Sequence, residues 1–343
     1  MKDIKSTHVI DVQMANKIGF IGYRNHAKKL IDIVNKNNYF KITHVYHPSK
    51  NIEGLPITNN LEDLYDCDGI IISSPNNTHF DYIKKIIENS NSMIFCEKPP
   101  VTSSEGVNYL ENMKDNDKSR LFFNFNLRYS KINDILKEFS NSKDIGNIVQ
   151  INIITSQGLA FKQKYLKDWR ADGENNLHNI IENSAIHWID LMVYNFGKVS
   201  KANQLPRLIS KNGTSYDTNL INLEFKNEIV VSIFTSYATP LIDSILIIGT
   251  NGLIIFEDEE MNIAYPRDTF DDNGLFKKPE TKKKIHLNLQ SDFTNSIVES
   301  VNFFLEHVKN SEKFNINYFN TCLYSNKLVL EIEKSEMKKI KIN

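Results

Sequence analysis

A chain of 343 residues has room for about two domains of ordinary size. Apolar residues make up 41%, enough for a large core, and 41 basic against 42 acidic side chains leave no electrostatic footprint for nucleic acid or an anionic membrane. No run approaches the ~20 apolar residues of a membrane span. The polar segment 1–16 carries no signal-peptide pattern, and Cys67, Cys96 and Cys322 are too few and too scattered for a disulfide framework or a metal site. These features point to a soluble cytoplasmic protein with reduced thiols and no metal.

In chain order, 1–16 reads as an arm outside the main fold. Residues 17–21 form a short buried-type strand that runs into Gly22-Tyr23-Arg24-Asn25-His26-Ala27 and a helical pattern to about Asn35. A second strand at 41–46 ends at His47-Pro48-Ser49-Lys50. A third, 69–73, is stopped by Ser74-Pro75-Asn76, and a helix follows at 79–89. Residues 93–96 make another strand. Thr102-Ser103-Ser104-Glu105 then has the form of a capping box, and 121–125 closes the series. Strands alternating with helices of this length imply a doubly wound parallel sheet over 17–125. From 126 to 343 the pattern changes. Runs at 148–155, 220–225, 229–237, 244–248 and 253–256 are longer and more alternating, with turn signals between them, as in a mostly antiparallel open sheet of an α+β domain. Helical patterns cover 179–196, 293–309 and 319–333, and 277–284 reads as a basic, solvated loop.

The strand, Gly-bearing turn and helix at 17–35 have the layout of a dinucleotide phosphate site, in which small residues admit the pyrophosphate and helix NH groups bind it. Gly22 takes the first place of the usual G-x-G-x-x-G, Arg24 the second and Ala27 the third, with Asn25 and His26 in the turn. Where an acid would bind the ribose of NAD, this chain has His47, followed by Ser49 and Lys50. A 2′-phosphate meets no repulsion there, which admits NADP and tips the balance toward it over NAD. Ser74, Pro75, Asn76 and His79 follow a central strand, where such sheets bind ligands. In Glu97-Lys98-Pro99, proline fixes the backbone beside a lysine at a strand end and so aims the amine into a cleft.

These pieces resemble the Gfo/Idh/MocA family of NAD(P)-dependent sugar oxidoreductases. The matching residues are Gly22 in its turn, Pro75-Asn76-x-Thr78-His79, Glu97-Lys98-Pro99, Asn126-x-Arg128 and the segment ending His187-x-x-Asp190. The resemblance implies a Rossmann domain followed by an α+β domain whose sheet builds a dimer or tetramer, and a helix that brings His187 opposite Lys98 across the nicotinamide.

The implied reaction moves a hydride between nicotinamide and a secondary hydroxyl or ketone of a sugar, cyclitol or nucleotide sugar. His187 would take the hydroxyl proton, and Lys98 would stabilise the developing alkoxide. Asn183, four residues before His187, shares its helix face. The commoner family pattern has Asp there, and Asn is similar to members acting on nucleotide-linked sugars, such as UDP-N-acetylglucosaminuronate 3-dehydrogenases. Arg170, beside Trp169, can clamp a carboxylate or phosphate, and Arg128 is expected to shape the substrate cleft. The departures at Arg24 and Asn183 keep a second reading in view, a catalytically silent Rossmann protein that binds a nucleotide or sugar. A sugar-nucleotide transferase is a third, and the paired Lys98 and His187 argue against it.

Overall fold

The computed structural model describes residues 15–49, 53–140, 142–257 and 259–335. The first sheet has six strands, all pairings parallel, in the order β3-β2-β1-β4-β5-β6. They are β1 (Asn16–Ile21), β2 (Phe40–Tyr46), β3 (Ile57–Thr58), β4 (Gly69–Ile72), β5 (Met93–Glu97) and β6 (Leu121–Asn124). Strand order reverses between β1 and β4, which sets a crevice at their carboxyl ends. Helices α1 (Asn25–Asn35), α2 (His79–Asn89), α3 (Ser104–Glu111) and the short α4 (Asp115–Lys118) connect them. The α1 stripe Ala27, Leu30, Ile31 and Val34 is buried, as its 3.6-residue spacing dictates. The α3 N-cap is Ser103, which accepts from Gly106 N at 3.1 Å, one residue later than the capping-box form suggests. Asn16 belongs to β1 rather than to an arm, and the rest of the expected arm up to 14 lies outside the described residues.

After α5 (Lys131–Phe139), the second sheet runs β14-β13-β12-β11-β7-β10-β9-β8, antiparallel except for β7 with β10. Its strands are β7 (Ile148–Ser156), β8 (Val199–Arg207), β9 (Thr218–Phe225), β10 (Val230–Ser236), β11 (Ile242–Gly249), β12 (Leu253–Glu257), β13 (Glu260–Ala264) and β14 (Thr281–His286). Three of these are not visible as strands in the sequence. β8 carries Pro206 and β14 reads Thr-Lys-Lys-Lys-Ile-His, and these two are the sheet's edges. Proline and lysine are what sheets put on edges, where they block pairing with other chains and erase the apolar alternation. The segment 277–284 is therefore partly edge strand, not simply a loop. Helix α6 (Ile186–Phe196) packs on α8 (Ile316–Lys334) and touches α7 (Leu289–Asn310) through His187 and Phe293.

The C-terminal pair returns to the first sheet. A Cβ on Gly69 would stand 3.1 Å from Val308 and 3.2 Å from Phe304 of α7. Phe95, Phe122 and Phe304 share a core with α1. On the sheet's other face, Ile70, Ile94 and Phe123 join Phe319 and Val329 of α8. The two C-terminal helices thus pack on opposite faces of the first sheet.

Candidate active site

At the β1–α1 turn, Gly22 has φ +93°, and a Cβ there would lie 2.7 Å from the Ser73 carbonyl oxygen. Only glycine lets this turn lie against the end of β4. Arg24 is the α1 N-cap and makes no side-chain cap bond, and the first turn of α1 holds no acid. The helix thus presents its first NH groups without a competing side chain, the arrangement a pyrophosphate needs. These two observations fit a dinucleotide. At the end of β2 the His47 ring accepts from Ser49 N at 3.3 Å. Lys50 lies outside the described residues.

His26 and His79 are tied to protein partners. His26 Nε2 lies 2.7 Å from Glu97 Oε1, and the carboxylate raises its pKa. Asn124 donates to the same oxygen at 2.8 Å and is itself held by Ser300. His79, expected at the cofactor, is fully buried instead. Its ring nitrogens sit 2.8 Å from Pro99 O and 2.9 Å from Ser74 O, so it staples the β4 loop to the β5 loop. Ser74 Oγ accepts from Thr78 at 2.7 Å. Asn76 opens the single turn that follows Pro75, ahead of α2.

Lys98 stands just after β5, followed by a cis bond to Pro99. Its backbone is fixed from several sides. His79 holds Pro99 O, and the Asn326 side chain of α8 takes Val101 N at 3.2 Å and gives to Val101 O at 3.0 Å. The Lys98 ammonium donates to the main-chain oxygen of Asn183 at 2.6 Å. Burial pushes its pKa down to about 8, with Glu97 opposing the fall and Arg170 adding to it.

The helix expected over 179–196 is not regular. Ile181–Ala185 is a π-turn, in which Ile186 N donates to Ile181 O, and α6 follows. The i,i+4 relation between Asn183 and His187 therefore does not hold as drawn, yet both line a cavity of about 560 Å³ together with Gln157, Tyr237, Asp243 and Gln290. Asn183 Nδ2 donates to the Tyr237 hydroxyl at 2.5 Å. His187 packs edge-on to Phe293 at 5.1 Å, and its Nδ1 is buried without a partner. Burial and the Lys98 and His26 cations hold the ring well below its ordinary pKa.

Arg128 corrects the sequence expectation most clearly. It does not reach the cavity. Its Nε and a terminal nitrogen grip Asp190 at 2.8 and 2.6 Å, both side chains being almost fully buried. Thr321 takes the other terminal nitrogen at 2.9 Å, and the rings of Tyr194 and Tyr318 flank the guanidinium. Asp190 therefore belongs to this pair. Arg170 binds Asp168 at 3.0 Å and lies over the Trp169 ring at 4.6 Å. Tyr237 and Glu182 are the site residues the sequence did not single out. Tyr237 closes an alternating strand and Glu182 sits inside a helical run, so neither stands apart by spacing. Among the described residues, no group of His, Cys, Asp and Glu is placed to hold a metal, and no helix is long and apolar enough to cross a membrane.

Residues 16–125 match the model of an oxidoreductase family with an NAD-binding Rossmann fold, and 135–255 match the GFO/IDH/MocA C-terminal domain. Glucose-6-phosphate 3-dehydrogenase of Bacillus subtilis (strain 168) is 28% identical over 193 residues, 52% of this chain and 53% of that protein. Inositol 2-dehydrogenase of Rhizobium meliloti (strain 1021) is 25% identical over 138 residues, 40% of this chain and 39% of that protein. The chain thus matches about half or less of the length of these curated relatives. An oxidoreductase from Agrobacterium radiobacter, solved with NAD+, L-tartaric acid and magnesium, aligns over 93% of this chain and 96% of its own. Its TM-score is 0.72 at 15% identity, a likeness of fold.

Proposed function

Because the chain belongs to the Gfo/Idh/MocA oxidoreductase family, we propose that it is an NAD(P)-dependent dehydrogenase acting on a secondary hydroxyl, or the matching ketone, of a sugar or cyclitol. The carrying observation is the convergence of Lys98, Asn183 and His187, with the ammonium bonded across the cleft to the π-turn at 2.6 Å. When bound, the nicotinamide supplies the hydride acceptor or donor. The residues of the chain do the rest. Lys98, near pH 8, is the group suited to exchange the hydroxyl proton. His187, kept neutral, serves as hydrogen-bond partner to the same oxygen rather than as the principal base. This reverses the roles the sequence suggests. Asn183, oriented by Tyr237, binds a neighbouring hydroxyl.

The cavity favours an uncharged polyol over a nucleotide sugar, since Lys29 is the sole lysine or arginine among its lining residues. Arg170 already has Asp168. The absence of an acid at the end of β2 supports acceptance of NADP, tested by comparing kcat/KM for the two cofactors; a strong preference for NAD would reverse that reading. Assembly into a homodimer or homotetramer is supported by the open face of the second sheet. There Val230 and Ile154 are exposed and Phe234, Leu246 and Ile248 half-buried, and sedimentation would measure it. The buried, unpaired thiols of Cys67, Cys96 and Cys322 accord with a reducing cytoplasm.

Lys98→Met tests the assignment. Turnover of inositol or glucose should fall by about 10²–10⁴ with the melting curve and NADH binding retained. An unchanged rate would remove Lys98 from the reaction.

A further inference from the structure

The cavity that holds Asn183 and His187 has a far wall whose polar groups the proposed reaction does not yet use. That wall is built by register. Thr155 of β7 pairs with Thr235 of β10 on one side and with Asp243 of β11 on the other. Residues paired across strands project to the same face of a sheet, so the three side chains stand in one row. Their hydrogen bonds show which face it is. Thr235 donates to the Ser184 hydroxyl of the π-turn at 2.9 Å, and Thr155 donates to Asp243 Oδ1 at 3.3 Å. The row therefore begins beside Asn183 and ends at Asp243. Two strand spacings of about 4.8 Å set its ends roughly 10 Å apart, room for a six-membered ring between them.

Asp243 differs from the other carboxylate of the cavity wall. Asp292 is 5% exposed, and main-chain NH groups at the start of α5 take both its oxygens, Lys131 N at 2.9 Å and Ile132 N at 3.2 Å. The Asp243 carboxylate meets neither a main-chain NH nor a cation among the described residues. Its Oδ1 has the long bond from Thr155, and its Oδ2 accepts from the Gln290 amide of α7 at 3.1 Å. A carboxylate offers about four lone-pair sites, so about two stay open, half-buried in the wall of the cavity. Thr155 and Gln290 hold the group from two separate elements, which fixes where it stands. A carboxylate that has lost part of its water needs donors, and the donor that a sugar or cyclitol brings is a hydroxyl.

We propose that Asp243 is a specificity-determining residue for the end of the substrate ring remote from the reacting carbon: its carboxylate accepts from one hydroxyl, or from two adjacent ones, of a sugar or cyclitol whose other side lies against Asn183 and His187. The proposal rests on the reading of this cavity as the substrate site and adds a requirement to it. The ring must carry a free hydroxyl at its far end, because a ring deoxygenated there leaves the carboxylate without its donor.

The test is a cycle between the side chain and the substrate. The probe is myo-inositol or glucose, whichever is turned over faster, with its set of monodeoxy analogues. The readouts are kcat/KM and, in the Lys98→Met background with NAD+ present, calorimetric heats of binding. Loss of a hydrogen bond to a charged group should cost Asp243→Ala about 10–100-fold in kcat/KM. Asp243→Asn should lose less, because its amide oxygen still accepts. Both should keep the parental melting curve and NADH affinity, since the partners of this carboxylate are two side chains. One monodeoxy analogue should show the same loss with the parent protein and no further loss with Asp243→Ala, because each change deletes one side of the same bond. The heats of binding should show the same non-additivity. If Asp243→Ala lowers kcat/KM for every analogue by one common factor, the residue acts on the fold and not on the substrate, and the proposal is overturned. An unchanged kcat/KM in Asp243→Ala overturns it as well. The two readings fail separately. If Lys98→Met keeps the parental rate while the cycle closes on one hydroxyl, the role of Lys98 falls and that of Asp243 stands. If Lys98→Met abolishes turnover and the cycle closes on no hydroxyl, Asp243 alone falls. A parent protein that neither oxidises nor binds either probe sinks both.

Discussion

Arg128→Met separates a structural arginine from a substrate ligand. At a contact of about 3 Å and an effective dielectric of ~20, the attraction between Arg128 and Asp190 is about 5 kcal/mol, set against several kcal/mol of desolvation for each ion. The net value of the pair is therefore small. Removing one member is another matter, because Asp190 is 0% exposed and would be left buried without its cation. Such a loss costs about 3–5 kcal/mol, a large share of the ~5–15 kcal/mol that holds a domain together. The cation–π contacts with Tyr194 and Tyr318, at 4.6 and 4.8 Å, add about 0.5–1 kcal/mol each. The double variant Arg128→Met/Asp190→Leu should recover most of the deficit, since apolar side chains of similar volume replace a buried pair at little cost. Urea denaturation followed by circular dichroism reads both variants, and KM for the polyol is measured alongside. If Arg128→Met keeps its stability within about 0.5 kcal/mol and instead raises KM, the guanidinium belongs to the substrate and the burial argument is wrong.

Gly22→Ala forces a side chain into a left-handed turn and against the main chain of Ser73. Stability should drop by about 1–3 kcal/mol and NADH fluorescence titration should show weaker binding; unaltered binding would mean that this turn does not meet the cofactor. The His26–Glu97 pair gives a pH signature. Glu97 raises the His26 pKa above 6.5, so the contribution of the histidine is complete below that value and fades as pH rises through the raised one. Glu97 itself is lowered, and its share is lost only as pH falls through the lowered value. The stability difference between the parent protein and His26→Gln should accordingly shrink on going from mildly acidic to mildly alkaline pH, and a constant difference would deny the pairing. Tyr237→Phe removes the hydroxyl that orients Asn183. A hydrogen bond of about 1 kcal/mol predicts roughly a fivefold loss in kcat/KM for the polyol with NADH affinity unchanged.

What the sequence reveals follows from how strongly each element's chemistry is local. β4 and β5 are buried on both faces, so each reads as an apolar run that no other structure explains. Lys98 is legible because a proline after a strand end constrains it, and Gly22 because a tight turn admits no other residue. The edge strands β8 and β14 are illegible because edges are built from residues that suppress the strand signal. Arg128 and Asp190 are 62 positions apart, and no spacing rule joins them; only the packing of α6 against the segment after β6 does. His79 misleads for a related reason. A histidine in a ligand-binding loop suggests a ligand, but this ring is taken up between the main-chain oxygens of Ser74 and Pro99.

The π-turn shows why the site itself was only half readable. A π-turn lets the main-chain bonding of a helix slip from i+4 to i+5, and it has no residue signature. Here Ile186 N bonds Ile181 O, so the turn widens where Glu182, Asn183 and Ser184 must all find polar partners outside the helix. Glu182 reaches Asn176, Asn183 reaches Tyr237 through its amide and Lys98 through its carbonyl, and Ser184 reaches Thr235 at 2.9 Å. A regular helix would direct every fourth residue along one stripe and turn at least one of these three into the core. Widening costs the helix some of its own bonding, and the polar contacts of these three residues offset that cost. The Lys98 amine is therefore aimed from two sides. Proline and His79 fix it on the strand side, and an irregular turn whose polar groups are all engaged fixes it on the helix side.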